Sequence, residues 1–310
     1  MKVVNAADFG RVAVLMGGWS AEREVSLMSG KAVHEAMQGR SIQVTAVDAS
    51  RENILQLKAQ GFDRAFNMLH GIGGEDGVVQ AALELQGIPY TGSGVLASAL
   101  AMDKLRTKQI WQSAGIPCAP HVLLDERSDF DAVVRQLGLP IFVKPATEGS
   151  SIGMTKVKKA EELKPAFELA RKYCPLVLAE QFIAGREFTA AVLARQVLPF
   201  VWIEPAGEYY DYHAKYVSND TRYHCPSGID AALEKTIGQL ALKAFDALGA
   251  SGWSRVDFML DPQNRPWFLE INTLPGMTSH SLFPVAAKAL GISFDQLVWK
   301  ILETSMEAPA

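Results

Sequence analysis

The chain has 310 residues, of which 48% are hydrophobic and 21% charged, and its formal net charge is −4. This composition is ordinary for a globular protein of two or three lobes, and it provides no overall basic field for nucleic acid. No apolar run reaches the roughly 18 residues of a membrane span, and the N-terminus lacks the apolar core of a signal peptide. The three cysteines show neither metal-ligand nor disulfide spacing, so we expect a protein of the reducing cytoplasm.

The first hundred residues alternate between predicted strands and helices. Short apolar runs predict strands at residues 11–17, 42–48 and 64–69. The expected helices lie at residues 21–38, 52–60 and 78–86. Ser20 is expected to cap the first of these helices. A β-α-β-α-β order of this kind is typical of a parallel sheet with helical crossovers.

The middle of the chain is predicted to form an α+β lobe with antiparallel strand pairs. Its strands are expected at residues 141–144, 154–157, 176–182 and 187–194. Its helices are expected at residues 103–114 and 160–172. A glycine-serine loop at 148–153 separates the first two strands.

The last third contains an aromatic, polar stretch at 204–224 without a regular pattern. We interpret it as a lid that closes over a site and brings Lys215 to phosphate. The alternatives are a loop packed on its own rings and a surface for nucleic-acid stacking, but the chain lacks the basic groove of the latter. A helix is expected at 229–248, then a hairpin and two helices. The predicted lobes are residues 1–103, 104–187 and 188–310.

The C-terminal hairpin carries a strong chemical pattern. Strict alternation predicts that Arg255 and Asp257 share the face opposite to an apolar one. On the partner strand, Phe268, Glu270 and Asn272 are expected to share a face, with Glu270 opposite Asp257. Two like charges about 4 Å apart repel by about 4 kcal/mol at an effective dielectric of 20, a cost that a cation removes. Oxygen ligands suit Mg2+, so the pattern predicts a magnesium-nucleotide site; the alternative is a solvated hairpin with surface acids.

A second pattern is the loop EGSSIG at 148–153, after the strand that ends at Lys144. Its glycines let backbone N–H groups approach phosphate, although a flexible hairpin turn is the alternative. The same loop fits the G-x-S-x-G motif of a serine hydrolase, with Ser151 as nucleophile. The bases for such a hydrolase would be His213, His224 or His280. That motif needs a strand-to-helix turn, and a strand is expected here, so the phosphate loop is favoured.

Two glycine-rich turns need separate interpretations. Residues 92–97 fit a loose G-x-G-x-x-A dinucleotide pattern, but the preceding strand is too short, so we treat the match as chance. The turn HGIGGEDG at 70–77 is a poor metal site because it offers one imidazole and two acids. It is expected to let substrate approach the end of the third strand.

Several motifs occur in one order along residues 11–305. They are GGWSAEREVS at 17–26, HGIGGEDG at 70–77, KP at 144–145, EGSS at 148–151, YDYHAKY at 210–216, RVD at 255–257 and EINTLPGMT at 270–278. With these motifs the chain resembles the D-alanine–D-alanine ligase family of ATP-grasp ligases. The resemblance implies a three-lobe α/β ATP-grasp architecture with an N-terminal parallel-sheet lobe and two α+β lobes. It also implies a role in peptidoglycan precursor synthesis.

The resemblance implies that ATP binds between the central and C-terminal lobes. The residues implied in ATP binding are Lys104, Lys144, Glu148, Ser150, Ser151, Glu180, Phe182, Ile183, Glu187, Tyr210, Lys215 and Asn272. The metal ligands implied by the resemblance are Asp257, Glu270 and Asn272. They would hold two Mg2+ ions, with Mn2+ as the alternative, that bridge the phosphates.

The family reaction has two steps. The carboxylate of one D-alanine attacks the γ-phosphate to form an acyl phosphate, and the amine of a second D-alanine then displaces phosphate. The residues implied in catalysis are Glu22, Ser150, Tyr216, Arg255 and Gly276. Those implied in D-alanine binding are Glu22, Val25, Ser26, His70, Ser281 and Leu282. A helix beginning near Ser281 independently offers free N–H groups to a carboxylate.

Tyr216 bears on the second substrate. In the family a tyrosine here accompanies dipeptide synthesis and a phenylalanine accompanies ester formation with D-lactate, so a dipeptide ligase is expected. The alternatives are an ATP-grasp ligase with another amino acid or hydroxy acid, and a non-catalytic nucleotide sensor. The sensor is disfavoured because Arg255 and both metal carboxylates are present. The expected partners are ATP and D-alanine, without nucleic acid or membrane, in a homodimer implied by the family.

The chain departs from the family pattern at two places. Gln181, Phe182 and Ile183 stand where Lys-Trp-Leu is often found, which would change adenine stacking. His213 stands where an acid is common, which would alter the lid surface.

Overall fold

The computed structural model describes residues 5–149, 151–205, 207–208, 210, 220–278 and 281–306. Their strands form one parallel and two antiparallel sheets, and helices pack against these sheets. The predicted α/β architecture, with an N-terminal parallel-sheet lobe and two α+β lobes, is confirmed. Among the described residues, no helix combines the length and apolar character needed to cross a membrane.

The N-terminal sheet consists of three parallel strands in the order β2-β1-β3. These strands are β1 (Val12–Gly17), β2 (Val44–Ala49) and β3 (Arg64–Asn67). The first helices of the chain are α1 (Arg23–Gly39), α2 (Val78–Leu85), α3 (Val95–Met102) and α4 (Lys104–Ser113). The first four residues of β1 are fully buried, as expected for an apolar run at the centre of a parallel sheet.

The expected helix at 52–60 is wrong. Only a short 3-10 helix, Asn53–Gln56, forms there. The Asn53 side chain accepts the Ser50 N–H at 2.8 Å and donates to the Asp48 carbonyl at 2.8 Å. Such local side-chain bonds compete with helical hydrogen bonds, so the segment adopts turns instead.

The start of α1 also differs from expectation. Glu22, not Ser20, is the residue that directly precedes the helix. The Ser20 hydroxyl accepts the Glu22 N–H at 3.1 Å and donates to the His70 carbonyl at 2.6 Å. Ser20 therefore ties the start of α1 to the turn that follows β3.

The central sheet is antiparallel, with the strand order β4-β7-β5-β6. Its strands are β4 (His121–Leu124), β5 (Ile141–Pro145), β6 (Thr155–Val157) and β7 (Val177–Gln181). Its helices are α5 (Phe130–Leu137) and α6 (Leu163–Ala170). Strand β4 and helix α5 were not predicted, because four strand residues and eight helix residues leave only a short periodic signal.

The C-terminal sheet is also antiparallel, in the order β11-β10-β8-β12-β13, with β9 paired to β8. Its strands are β8 (Arg186–Leu193), β9 (Gln196–Val197), β10 (Val201–Glu204), β11 (Arg222–His224), β12 (Trp253–Leu260) and β13 (Pro266–Asn272). The helices of this part are α7 (Ala231–Ala247), α8 (Leu282–Ala289) and α9 (Phe294–Thr304). Pairing of β10 with β11 gives regular structure to both ends of the stretch expected to be irregular.

Helix α4 contacts both antiparallel sheets. Its Trp111 ring lies 6.0 Å from the Phe268 ring, and the indole N–H donates to the Ala244 carbonyl at 2.9 Å. At its first turn, the Lys104 N–H donates to the Ala146 carbonyl at 2.9 Å. The helix therefore holds its lysines at the junction of the two sheets.

The predicted C-terminal hairpin is confirmed, with Asp257 opposite Glu270. The expectation that Phe268 shares the face of Glu270 is wrong. A register shift beside Asp257 inserts Leu269, so Phe268 pairs with Phe258 and is fully buried. Leu269 and Glu270 both face the cleft described below. A β-bulge of this kind re-aims side chains beside a site.

Candidate active site

A cleft of about 310 Å³ lies between the central and C-terminal sheets, within the range of small-ligand pockets. Its apolar walls include Phe142, Met154, Phe182, Ile183, Trp202, Met259 and Leu269. The residues expected to bind ATP that line it are Lys104, Lys144, Glu148, Ser151, Glu180, Phe182, Ile183, Glu187 and Tyr210. Asn272 lines a neighbouring pocket instead, and Ser150 and Lys215 lie outside the described residues.

A carboxylate lies between two lysines in the wall of the cleft. Glu180 on β7 contacts Lys144 on the adjacent strand β5 and accepts a hydrogen bond from Lys108 at 2.8 Å. Burial by itself would raise the pKa of Glu180, but the ammonium groups of Lys108 and Lys144 lower it to about 2. Glu180 is therefore ionised at neutral pH, and one surplus positive charge remains in the cluster.

Lys104 connects the glycine-serine loop to the carboxylate patch, which consists of Asp257 and Glu270. Its ammonium group donates to the Glu148 carbonyl at 2.6 Å and lies 3.1 Å from Glu270 Oε2. Burial and the Glu22 carboxylate raise the pKa of Glu148, although Lys104 opposes this shift. The Lys104 ammonium group therefore lies where an anionic ligand in the cleft would contact both the loop and the patch.

The loop around Ser151 follows the order strand, turn, strand. Ser151 has a φ of 60°, in the left-handed region, and its hydroxyl donates to the Tyr210 carbonyl at 3.4 Å. Strand β6 follows the loop, whereas a nucleophile elbow requires a helix there. The geometry therefore disfavours the serine-hydrolase alternative.

Asp257 is the centre of the carboxylate patch. It accepts two hydrogen bonds of 2.9 Å from Arg255, one of 3.0 Å from Asn272 and one of 2.5 Å from Thr189. Burial by itself would lower the pKa of Arg255, but the Asp257 carboxylate raises it above its ordinary value. The guanidinium is therefore charged and held in one orientation.

The donors expected for magnesium fit that ion. Asp257 lies opposite Glu270, and Asn272 follows Glu270 by two positions on β13. Carboxylate and amide oxygens are its preferred ligands, and Mg2+ usually completes its shell with water and phosphate oxygens. Within the described part of the chain, no three His, Cys, Asp or Glu side chains form a closed metal cluster. Glu270 and Asn272, which line the pockets, therefore fit an ion whose coordination a nucleotide completes, whereas Asp257 lines neither pocket and its carboxylate is held by Arg255.

A smaller pocket of about 100 Å³ adjoins the cleft, and Gly149, Tyr210 and Glu270 line both. The residues expected in catalysis and D-alanine binding that line it are Glu22, Val25, His70, Arg255, Gly276, Ser281 and Leu282. Ser26 does not line it, because its buried hydroxyl donates to the Met68 carbonyl at 2.7 Å. Ser150 and Tyr216 lie outside the described residues.

Two carboxylates form one side of the small pocket. Glu22 lies against glycines: a Cβ at Gly71 would come 2.8 Å from its Oε2, and a Cβ at Gly149 would come 3.2 Å from it. Burial and the neighbouring Glu22 raise the pKa of Glu75 to about 8, although Glu75 accepts the Gly71 N–H at 2.7 Å. Burial and Arg255 lower the pKa of His70 to about 4, so its imidazole is neutral at pH 7.

The other side of the small pocket is the start of α8. Ser281 directly precedes this helix, as predicted, and Leu282 is its first residue. The Ser281 hydroxyl accepts the Thr278 N–H at 2.9 Å, and a Cβ on Gly276 would come 2.9 Å from that hydroxyl. The first-turn N–H groups of a helix have no intrahelical partner, so they can receive a carboxylate here.

The described flanks of the expected lid contact the central sheet. Glu208 lies 2.6 Å from the Lys158 ammonium group and 3.4 Å from that of Lys156. The Tyr210 hydroxyl lies 3.0 Å from that of Tyr223, and Tyr210 lines both pockets. Residues 211–219, with His213, Lys215 and Tyr216, lie outside the described residues, as does His280.

Three polar residues of the site were not predicted from the sequence. Lys108 follows Lys104 by one helical turn, and this spacing could have identified it as a residue of the site. Thr189 lies opposite Asp257 across β8 and β12, a pairing between residues 68 positions apart that no local pattern shows. Glu75 was treated only as part of a glycine-rich turn.

A cleft between two antiparallel sheets, with lysines at its polar end and a carboxylate patch beside a small pocket, defines an ATP-dependent ligase of the ATP-grasp class. Residues 110–303 match the family described as D-ala D-ala ligase C-terminus, and residues 55–93 match D-ala D-ala ligase N-terminus. The chain belongs to the D-alanine–D-alanine ligase family, which confirms the resemblance and the predicted enzyme class.

Individual proteins show the same relationship. D-alanine–D-alanine ligase B of Chromobacterium violaceum is 58% identical over 297 residues, which cover 96% of this chain and 98% of that protein. The crystal structure of the Bacillus anthracis D-alanine–D-alanine ligase has a TM-score of 0.86 and 36% identity, covering 96% of this chain and 97% of that one. The same ligase complexed with ATP gives a TM-score of 0.83 and 33% identity, with the same coverage. The VanG D-Ala:D-Ser ligase of Enterococcus faecalis gives 0.82 and 34%, covering 95% of this chain and 99% of that one.

Proposed function

We propose that this chain joins two D-alanine molecules into D-alanyl-D-alanine, with ATP converted to ADP and phosphate, for peptidoglycan precursor synthesis. The observation that carries the proposal is that the cleft and the small pocket share Gly149, Tyr210 and Glu270. A γ-phosphate in the cleft and a carboxylate in the pocket can therefore come into contact. The similarity to named D-alanine–D-alanine ligases, one of them complexed with ATP, supports the same substrates.

In this proposal ATP lies along the cleft, with adenine between its apolar walls. Glu180 and the backbone at 182–183 hold the adenine, and Glu187 holds the ribose. Lys104 and Lys144 contact the phosphates, since both ammonium groups line the polar end of the cleft. The loop that includes Glu148, Ser150 and Ser151 covers these phosphates, and Lys215 reaches them from the lid.

Asp257, Glu270 and Asn272 hold two Mg2+ ions, or Mn2+, in the same proposal. Bound there, the ions neutralise phosphate charge and favour attack at the γ-phosphorus. Glu270 lies 3.1 Å from the Lys104 ammonium group, so its carboxylate already faces the polar end of the cleft. The oxygen-only donor set supports the choice of a hard divalent cation.

The first step takes place where the two pockets meet. A carboxylate oxygen of the first D-alanine attacks the γ-phosphorus, the bond to the β–γ bridging oxygen breaks, and ADP leaves. Glu22 binds the ammonium group of this D-alanine, because its carboxylate lies against Gly71 and Gly149 at the junction. Ser150 and Tyr216 complete this contact.

In the second step the neutral amine of the second D-alanine attacks the acyl carbon, phosphate leaves with one former carboxylate oxygen, and the nitrogen gives up one proton to the departing phosphate. Ser281 and the first N–H groups of α8 bind the carboxylate of this D-alanine. Arg255, fixed by Asp257, and the Gly276 N–H donate to the developing oxyanion. Donors that are already oriented stabilise such a charge without reorganisation.

Substrate dependence tests the proposal. Phosphate release and dipeptide formation are measured with ATP, Mg2+ and either D-alanine, D-serine, L-alanine or D-lactate. D-serine is included because the VanG D-Ala:D-Ser ligase has a similar fold. We expect D-alanine to give equal amounts of phosphate and dipeptide, whereas absence of D-alanine-dependent release would refute the proposal. Release that survives Arg255→Ala and Glu270→Gln together would refute the site assignment.

Location, assembly and lobe boundaries are part of the same proposal. The use of ATP supports a cytoplasmic location. Lobe boundaries after residues 103 and 187 are proposed, although β8 (Arg186–Leu193) extends across the second of them. A homodimer is the family expectation. Val78 and Leu85 on α2 and Leu96 on α3 are exposed apolar side chains at which it can be tested. Light scattering should give twice the chain mass for the wild type and a lower mass for Leu85→Glu. A wild-type monomer would refute the homodimer.

A further inference from the structure

Lys108 is a lysine buried at the junction of the central and C-terminal sheets. Its side chain is 0% exposed, although charged groups are rarely buried completely unless they are paired. Its ammonium group lies 2.8 Å from Glu180 Oε1 and 3.5 Å from the Phe268 carbonyl. Lys108 is not among the residues that line the cleft, so a nucleotide bound there would not touch it.

Glu180 is shared between two lysines that differ in mobility. Lys144 contacts Glu180 Oε2 and is 14% exposed at the cleft surface, whereas Lys108 is enclosed on all sides. Among the described residues, these are the two ammonium groups within ion-pair distance of Glu180. Lys144 can therefore turn toward a ligand in the cleft, and Lys108 cannot.

We propose that Lys108 is the permanent counter-ion of Glu180, and that it allows Lys144 to leave Glu180 for the phosphates of ATP. This inference rests on the proposed function, in which Lys144 contacts the phosphates. Without Lys108, the departure of Lys144 would leave a buried carboxylate with no cation, which is strongly unfavourable. Lys108 is thus a positioning residue for nucleotide binding.

The surroundings of Lys108 explain why it stays in place. Phe268, whose carbonyl it contacts, directly precedes the bulge residue Leu269 on β13. The Phe268 N–H donates to the Pro117 carbonyl at 2.8 Å, and Cys118 forms a parallel bridge with Phe268. Lys108 therefore connects Glu180 on the central sheet to the strand that carries the metal carboxylate Glu270.

Other titratable groups face this cluster and must be considered. His121 on β4 pairs in register with Glu180 on β7. Burial raises the pKa of the Cys118 thiol to about 11, so it is neutral at pH 7. Lys104 and Glu270 lie 3.1 Å apart at the same end of the cleft. All four groups are present in both the wild type and a Lys108 variant, so a comparison between them isolates the role of Lys108.

The proposal predicts a pH dependence in Lys108→Met. In the ATP-free variant Lys144 still pairs with Glu180 and keeps it ionised. In the ATP complex Lys144 contacts the phosphates instead, so burial raises the pKa of Glu180. ATP binding then takes up a proton, so affinity falls as pH rises between these two pKa values. In the wild type Lys108 keeps Glu180 ionised in both states, and this coupling is absent.

The experiment measures the dissociation constant of Mg-ATP by calorimetry between about pH 6 and pH 9. We expect the ratio of the Lys108→Met constant to the wild-type constant to rise with pH, by up to about tenfold for each pH unit that lies between the two pKa values of Glu180. Taking the ratio removes the titration of ATP, which is common to both proteins. Lys31→Met, at an exposed lysine on α1, is the matched control and should give a ratio near one at every pH.

A double-mutant cycle separates this role from simple packing. In a Glu180→Gln background no buried carboxylate needs a counter-ion, so Lys108→Met should change ATP affinity by less than about threefold. Lys108→Arg should preserve most of the wild-type affinity. Melting curves establish that each variant is folded; should Lys108→Met alone unfold, a loss of ATP affinity greater than about threefold when Lys108→Met is added to Glu180→Gln would overturn the proposal.

Two results would overturn the proposal: a ratio independent of pH, or an equal loss of affinity in both backgrounds. Because ATP binding is measured without D-alanine, the outcome does not depend on dipeptide synthesis. A chain that binds ATP but makes no dipeptide would refute the proposed function and leave the role of Lys108 testable. A working ligase with a pH-independent ratio would refute the Lys108 proposal alone.

Discussion

Thr189 tests how the carboxylate patch is held. Its hydroxyl donates to Asp257 at 2.5 Å, and the two residues are only 0% and 5% exposed. Thr189→Val removes this donor and keeps the branched shape. A hydrogen bond to a charged group contributes about 1.5–3 kcal/mol. Because Asp257 keeps its bonds from Arg255 and Asn272, we expect the free energy of unfolding to fall by about 2 kcal/mol.

Urea denaturation measures this stability loss, and steady-state kinetics measure its effect on the site. We expect kcat/KM for ATP to fall about tenfold and the required Mg2+ concentration to rise, as when residues behind metal ligands are changed. Thr107→Val is the control, since its buried hydroxyl donates to the Leu100 carbonyl at 2.8 Å and not to a carboxylate. It should lose about 1 kcal/mol without a change in Mg2+ requirement. An unchanged Mg2+ dependence in Thr189→Val would refute the reasoning.

Gly71→Ala and Glu75→Gln test the small pocket, with Gly87→Ala as the control for the first. Gly71→Ala and Gly87→Ala both place a side chain at a left-handed φ, so each variant should lose about 1 kcal/mol of stability. Only the new side chain of Gly71→Ala approaches Glu22, so only this variant should have a raised KM for D-alanine. Equal KM values in the two variants would contradict this role of Glu22. The pKa of Glu75 is raised to about 8, so the native state retains a proton that the unfolded state releases. The free energy of unfolding of the wild type should therefore decrease as the pH rises from about 5 to 8. In urea denaturation, Glu75→Gln should become increasingly stable relative to the wild type as the pH rises over that range. A difference in the free energy of unfolding that does not change with pH would contradict the raised pKa of Glu75.

The features that could be predicted from the sequence are those with local signals. The apolar run of β1 and the alternation through β12 both led to observed strands, and the position of the turn placed Asp257 opposite Glu270. The bulge at Leu269 could not be predicted, because alternation alone assigns Phe268 to the face of Glu270. The expected helix at 52–60 failed because local side-chain hydrogen bonds favour turns there.

Site residues that stand in recognisable motifs could be predicted from the sequence, whereas the others could not. Arg255, Asp257 and Glu270 stand in short motifs, and the structure brings them together at one junction. Thr189 and Lys108 act through partners 68 and 72 positions away. Such contacts arise from the packing of whole sheets, which composition and periodicity do not specify. The lobe boundaries and the individual residue roles stay predictions.

The central claim is that one chain activates the carboxylate of D-alanine with ATP and then joins it to a second D-alanine. Transfer of 18O from the carboxylate of labelled D-alanine tests this most directly, with phosphate analysed by mass spectrometry and dipeptide quantified in the same reaction. We expect one labelled oxygen in each phosphate and one dipeptide for each phosphate. Unlabelled phosphate accompanying dipeptide would contradict the acyl-phosphate route, and phosphate without dipeptide would contradict the ligase.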